Sequence, residues 1–163
     1  MGTTTRRAIT ATVAAAVVGA APLAGAAPAQ AAAAGPRLIV RAVGAIDSGE
    51  PTWVSAYWTT GRDICGARVT ATAPRVGVGY PANTADHSSF SRGAALARRT
   101  VDHTAFRLDA EDTARTRVTR LTLTMTYTEL AGGALVPWAG DDDVDCRGAE
   151  KSVTTTALLV VNP

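Results

Sequence analysis

Between Thr116 and Thr128 the chain alternates with a period of two. Leu121, Leu123, Met125 and Tyr127 fall on one side of an extended backbone, and Thr122, Thr124 and Thr126 on the other. Only a strand turns successive side chains to opposite faces, so the run predicts a sheet with one dry and one wet surface. A dry surface of that size has to be covered by a second layer.

The rest of the chain repeats the pattern in shorter pieces. Leu38, Ile39, Val40 and Val43 mark a first strand, and Thr52 to Thr60 is rich in the aromatic and β-branched residues that suit strands. Ile64 to Ala73 sets Val69, Ala71 and Ala73 against Arg68, Thr70 and Thr72, and Arg99 to Leu108 sets Thr104, Phe106 and Leu108 against His103, Ala105 and Arg107. A short strand is expected around Val78 and another from Ala134 to Trp138. The last runs from Lys151 to Val161, where Leu158 to Val161 are apolar on both faces as in a sheet interior. Pro, Gly, Asn and Asp between Pro74 and Ala97 predict a long surface loop, and Asp109 to Ala114 a short helical turn. The expected fold is all-β: an antiparallel two-sheet β-sandwich of about seven strands, immunoglobulin-like in architecture.

The amino terminus reads as an export signal. Arg6 and Arg7 precede an uncharged apolar stretch from Ala8 to about Ala21, too short to span a bilayer comfortably, and Ala29-Gln30-Ala31 supplies a small-x-small cleavage site. Cleavage after Ala31 is expected by general secretion, with twin-arginine export as the alternative on Thr5-Arg6-Arg7-Ala8-Ile9. Residues 1–31 are then a signal peptide, 32–36 a flexible stub and 37–163 a single domain. Removing the leader takes two of the 16 basic residues and leaves 14 against 14 acidic ones, so the mature chain is formally neutral. A neutral domain of about 132 residues offers no basic surplus for nucleic acid or an anionic membrane, and it is large enough to bury its own core. No apolar span or lipid-accepting cysteine follows the leader, so the product is expected to be secreted and extracellular, with no membrane insertion after processing.

Cys65 and Cys146 are the only two cysteines. Outside the cell they most simply pair with each other, and no His lies at ligand spacing from either to favour a metal. The alanine, threonine, arginine and valine bias, the single lysine and the leader ending Pro28-Ala29-Gln30-Ala31 resemble small secreted proteins of high-GC actinobacteria. A seven-residue stretch, Leu108-Asp109-Ala110-Glu111-Asp112-Thr113-Ala114, is similar to the corner before the second cysteine strand of immunoglobulin variable domains. There a tyrosine and a cysteine follow, whereas here Arg115, Thr116 and Arg117 do. What the likeness implies is a short corner whose acidic side chains cap free amides.

Three groups of residues invite a functional reading. Asp141, Asp143 and Asp145 alternate in an acidic loop and could converge on calcium, though Cys146 and Ser152 stand where an EF-hand needs Gly and Glu; a solvated acidic loop is the competing reading. Trp53, Tyr57 and Trp58 offer aromatic surface on which a sugar ring could stack, or core packing, with Trp58 facing opposite to Trp53. Asp86-His87-Ser88-Ser89 brings a base and hydroxyls together, but no Gly-x-Ser-x-Gly elbow accompanies them, and Asp102 and His103 fall on opposite faces of one strand. The function expected is a non-enzymatic extracellular binding or interaction module, needing no cofactor unless calcium, for a glycan, cell-wall or protein partner. A protease inhibitor presenting loop 81–99 with Arg92, Arg98 and Arg99 is the alternative, and a small hydrolase the third.

Overall fold

The alternating runs become eight strands: β1 Arg37–Leu38, β2 Ala42–Asp47, β3 Thr52–Thr59, β4 Ile64–Thr72, β5 Val76–Gly79, β6 Val101–Ala110, β7 Arg117–Glu129 and β8 Glu150–Asn162. The structure, a computed structural model, describes residues 35–130 and 146–163. The described residues contain no helix.

Two four-stranded sheets form, in the orders β1-β3-β6-β5 and β2-β8-β7-β4. With the first strand divided between the sheets, this is the strand order of immunoglobulin-type sandwiches, in which strands A, B, E and D oppose C, F and G. Among the described residues there are eight strands, the first apolar run splitting in two: Arg37 and Leu38 pair with β3, and Ala42 onward crosses to β8. The strand expected from Ala134 to Trp138 lies outside the described residues. The β2–β8 pair is parallel, and the other strand pairs of the two sheets are antiparallel as expected. A chain that begins in one sheet and crosses to the edge of the other reaches β8 running the same way.

The anticipated wet and dry faces of β7 are present. Leu121, Leu123 and Met125 are fully buried, while Thr122, Thr124 and Thr126 line up across β4 and β8 in ranks such as Thr70–Thr124–Thr154. One rank is joined by a hydrogen bond of 3.1 Å between the Thr124 and Thr154 hydroxyls. Cross-strand threonine pairs of this kind add a few tenths of a kcal/mol or more each, up to about 1 kcal/mol. Gly66, at φ +61°, takes up the register shift between Cys65 and Arg68 that bends β4.

Two expectations are corrected. Leu108 to Ala110 remain in β6, and the segment after them is irregular rather than a helical turn. The stretch similar to an immunoglobulin corner thus enters the β6–β7 connection, where Gly49 donates its N–H to the Ala110 carbonyl. The loop after β5 is also more than surface. Phe90 and Leu96 are only 4% and 3% exposed, and its backbone pairs with β4 through Val69–Ser88 and Ile64–Leu96 and with β6 through Phe90–Thr104. It closes the side of the sandwich that β5 is too short to cover.

Candidate functional site: the outer face of the first sheet

Register decides which aromatic residues are available. Along β3 the side chains of Val54, Ala56 and Trp58 turn into the core, and those of Trp53, Ser55 and Tyr57 turn out. Trp58 is completely buried and its indole Nε1–H donates to the Thr104 hydroxyl at 3.0 Å. It is a core residue, and that corrects its candidacy as a ligand contact. Trp53 and Tyr57 are 53% and 47% exposed.

The neighbours of these two rings come from β6. Trp53 stands opposite Arg107, Ser55 opposite Ala105, and Tyr57 opposite His103, whose ring centroid lies 5.5 Å from that of Tyr57. Beyond Arg107 comes Gly79 of β5, and the Ile39 N–H donates to the Tyr57 carbonyl on the opposite side. The result is a shelf with an aromatic ring at each end and a low floor of Ser55 and Ala105 between. Four residues of strand at about 3.3 Å each set the two rings about 13 Å apart along β3.

Beside the Tyr57 end the shelf runs into a cleft of about 190 Å³, lined among others by Pro81, Asn83, Ser89, Phe90, His103 and Ala105. Its far wall is fixed by Asp102, which is 6% exposed. The carboxylate accepts the Ser91 hydroxyl and the His103 N–H on Oδ1 and the Arg92 N–H, at 3.3 Å, on Oδ2. Ser88 is spent in a similar way: its hydroxyl donates to the Ser89 carbonyl and accepts the Ala105 N–H.

These contacts decide the chemistry open to the serines. Ser91, Asp102 and His103 are the three residue types of a hydrolase triad, but the serine donates to the carboxylate rather than to the imidazole. The His103 Nδ1 to Asp102 Oδ1 separation is 3.6 Å, beyond a hydrogen bond. His87 reaches Asp86 at 2.7 Å, and that hydrogen bond holds the exposed Asp86 carboxyl below its ordinary range. Among the described residues no hydrogen bond joins a serine hydroxyl to His87 or His103. Among the described residues no group of three metal-ligating side chains converges, and the aspartates Asp141, Asp143 and Asp145 lie outside the described residues.

Arg92, Arg98 and Arg99 have exposed side chains, but their backbones are tied down: Arg92 to Asp102, Arg98 to Asp63 at 2.7 Å, and Arg99 to the Thr60 carbonyl at 2.8 Å. Replacing Asp102 with alanine would leave three donors without their acceptor. Because hydrogen bonds to a charged group contribute about 1.5–3 kcal/mol each and are not additive, a loss of about 2–3 kcal/mol is expected. Amide exchange should accelerate first at Ser91 and Arg92; unchanged protection there would refute the role given to this carboxylate.

The disulfide joins Cys65, buried at the start of β4, to the exposed Cys146, with Cα atoms 5.8 Å apart. Such a bridge is compatible with an oxidising, extracellular location. The shared face of Trp53, Ser55 and Tyr57 along β3 was visible in the sequence, but Ala105 and the cleft were not, because their juxtaposition with it depends on the β3–β6 register. The chain matches no family model, no curated protein and no solved structure.

Proposed function

We propose that the protein is a secreted, non-enzymatic binding module whose outer β1-β3-β6-β5 face holds an uncharged glycan chain. The observation that carries this reading is the exposure of Trp53 and Tyr57 on one face, separated by the low floor of Ser55 and Ala105. Indole and phenol rings exposed to water lose solvation favourably under the flat apolar face of a sugar, and their edges leave the sugar hydroxyls free to hydrogen-bond. A separation of about 13 Å suits an extended oligosaccharide resting on both rings rather than a single sugar. Arg107 is the only formally charged residue in the three β3–β6 ranks from Trp53 to Tyr57, which favours a neutral ligand over an acidic one.

Export through the leader and loss of Arg6 and Arg7 would place this neutral domain outside the cell, where its disulfide persists. The inhibitor reading is supported less well. A loop whose backbone is bonded to β4, β6 and the Thr60–Asp63 turn has few extended residues left to enter a protease cleft.

The test is binding of the purified mature protein to a panel of neutral polysaccharides, followed by tryptophan fluorescence titration with soluble oligosaccharides. Trp53→Ala and Tyr57→Ala should each weaken binding by about thirtyfold, as truncation of an aromatic anchor typically costs about 2 kcal/mol. Both residues are surface-exposed, so unfolding midpoints should change little. Binding that persists undiminished in the double variant, or no binding across the panel, would dismiss the proposal.

A further inference from the structure

We infer that the cleft beside Tyr57 receives the acetamido group of a 2-acetamido sugar, so that the shelf selects N-acetylated glycans over plain ones. This rests on the glycan-binding reading and names the substrate class of the same site.

Size comes first. At about 190 Å³ the cleft is below the roughly 300 Å³ typical of a pocket that encloses a drug-sized ligand, and it has ample room for an acetamido group. Its position comes next. His103 and Ala105 line it and also stand opposite Tyr57 and Ser55 on the shelf, so a substituent of a sugar resting there points into the cleft from its mouth.

The lining then narrows the chemistry. Pro81, Phe90 and Ala105 supply carbon surface. Asn83 and Ser89 supply an amide and a hydroxyl that the hydrogen bonds holding the loop do not use. Each can donate and accept. An acetamido group is complementary on all three counts, with a methyl for the carbon surface, a carbonyl to accept and an N–H to donate.

Alternatives fit worse. A carboxylate or sulfate would meet no lysine or arginine in the lining and would approach the Asp102 carboxylate behind Ser91. A bare hydroxyl would leave the carbon surface wet, with its apolar contact unmade.

The experiment compares a β-1,4-linked tetramer of N-acetylglucosamine with cellotetraose, which shares the backbone and lacks the acetamido groups, by calorimetric titration of the mature protein. The expected result is at least tenfold tighter binding of the acetylated tetramer. In the Asn83→Ala/Ser89→Ala variant the preference should shrink to within about threefold while the affinity for cellotetraose stays as it was; about 1.4 kcal/mol separates tenfold differences. Equal binding of both sugars by the unaltered protein would overturn the acetamido assignment and leave the shelf standing. A preference retained in the double variant would also overturn it. No binding of either sugar, here or to the wider panel, would remove the shelf and the assignment together.

Discussion

Cys146→Ala should lower the free energy of unfolding by up to about 4.5 kcal/mol in denaturant titrations, the largest effect expected of any change at an exposed position. The bridge spans 81 residues of sequence, and in the chain-entropy view its removal frees that whole loop in the unfolded state. Cys146 is exposed, and the variant leaves Cys65 as a small buried thiol, so the measurement isolates the bridge. Cys65→Ser should be worse by a further 1–3 kcal/mol or so, because it places a hydroxyl in a fully buried position at the start of β4. Since many domains have only about 5–15 kcal/mol in total, the serine variant is expected near the limit of folding. Intact mass should lie two daltons below the reduced value, the two hydrogens lost on oxidation. Thiols that titrate freely in the native protein, or a Cys146→Ala variant as stable as its parent, would contradict this account.

Trp58→Ala should cost about 3–5 kcal/mol, comparable with the bridge, through a different mechanism. Trp58 is completely buried between the sheets and is the largest side chain there, so truncation removes apolar contact and leaves a void that close-packed neighbours cannot fill. It also strands a polar group. The Thr104 hydroxyl accepts the indole N–H at 3.0 Å, and both groups are buried. Trp58→Phe should therefore lose more than its smaller volume implies, and Trp58→Phe/Thr104→Val should recover part of that loss. A double-mutant cycle showing no coupling between these positions would refute the hydrogen bond as a source of stability. The same substitutions leave Trp53 and Tyr57 in place, so under the proposed glycan-binding function folded Trp58→Phe protein should bind as its parent does.

The contrast between Trp58 and Trp53 shows where reading the sequence stops. Alternation along Thr52 to Thr59 is local and places the two indoles on opposite faces without further information. Which face is dry depends on the other sheet, a contact between residues far apart in the chain. Ile64, Leu121, Leu123 and Leu159 of that sheet are buried opposite Val54 and Trp58, and this leaves Trp53 and Tyr57 in water.

What the sequence determined by itself was whatever a strand's period or a cysteine count expresses: the all-β class, the strands of β3, β4, β6, β7 and β8 to within a residue or two, the wet and dry sides of β7, and the Cys65–Cys146 pairing. The tertiary structure decided what depends on pairing partners. It split the first apolar run between two sheets and set β2 parallel to β8. It drew Phe90 and Leu96 out of a loop without periodicity into the core, where a few apolar side chains anchor a segment whose local sequence specifies no regular element. It set Ala105 beside Ser55 and His103 beside Tyr57 and so made the shelf and its cleft. Local preferences act over a few residues, whereas register across a sheet is chosen by the packing of whole faces, and one residue of slip would have turned Trp53 inward and Trp58 to solvent.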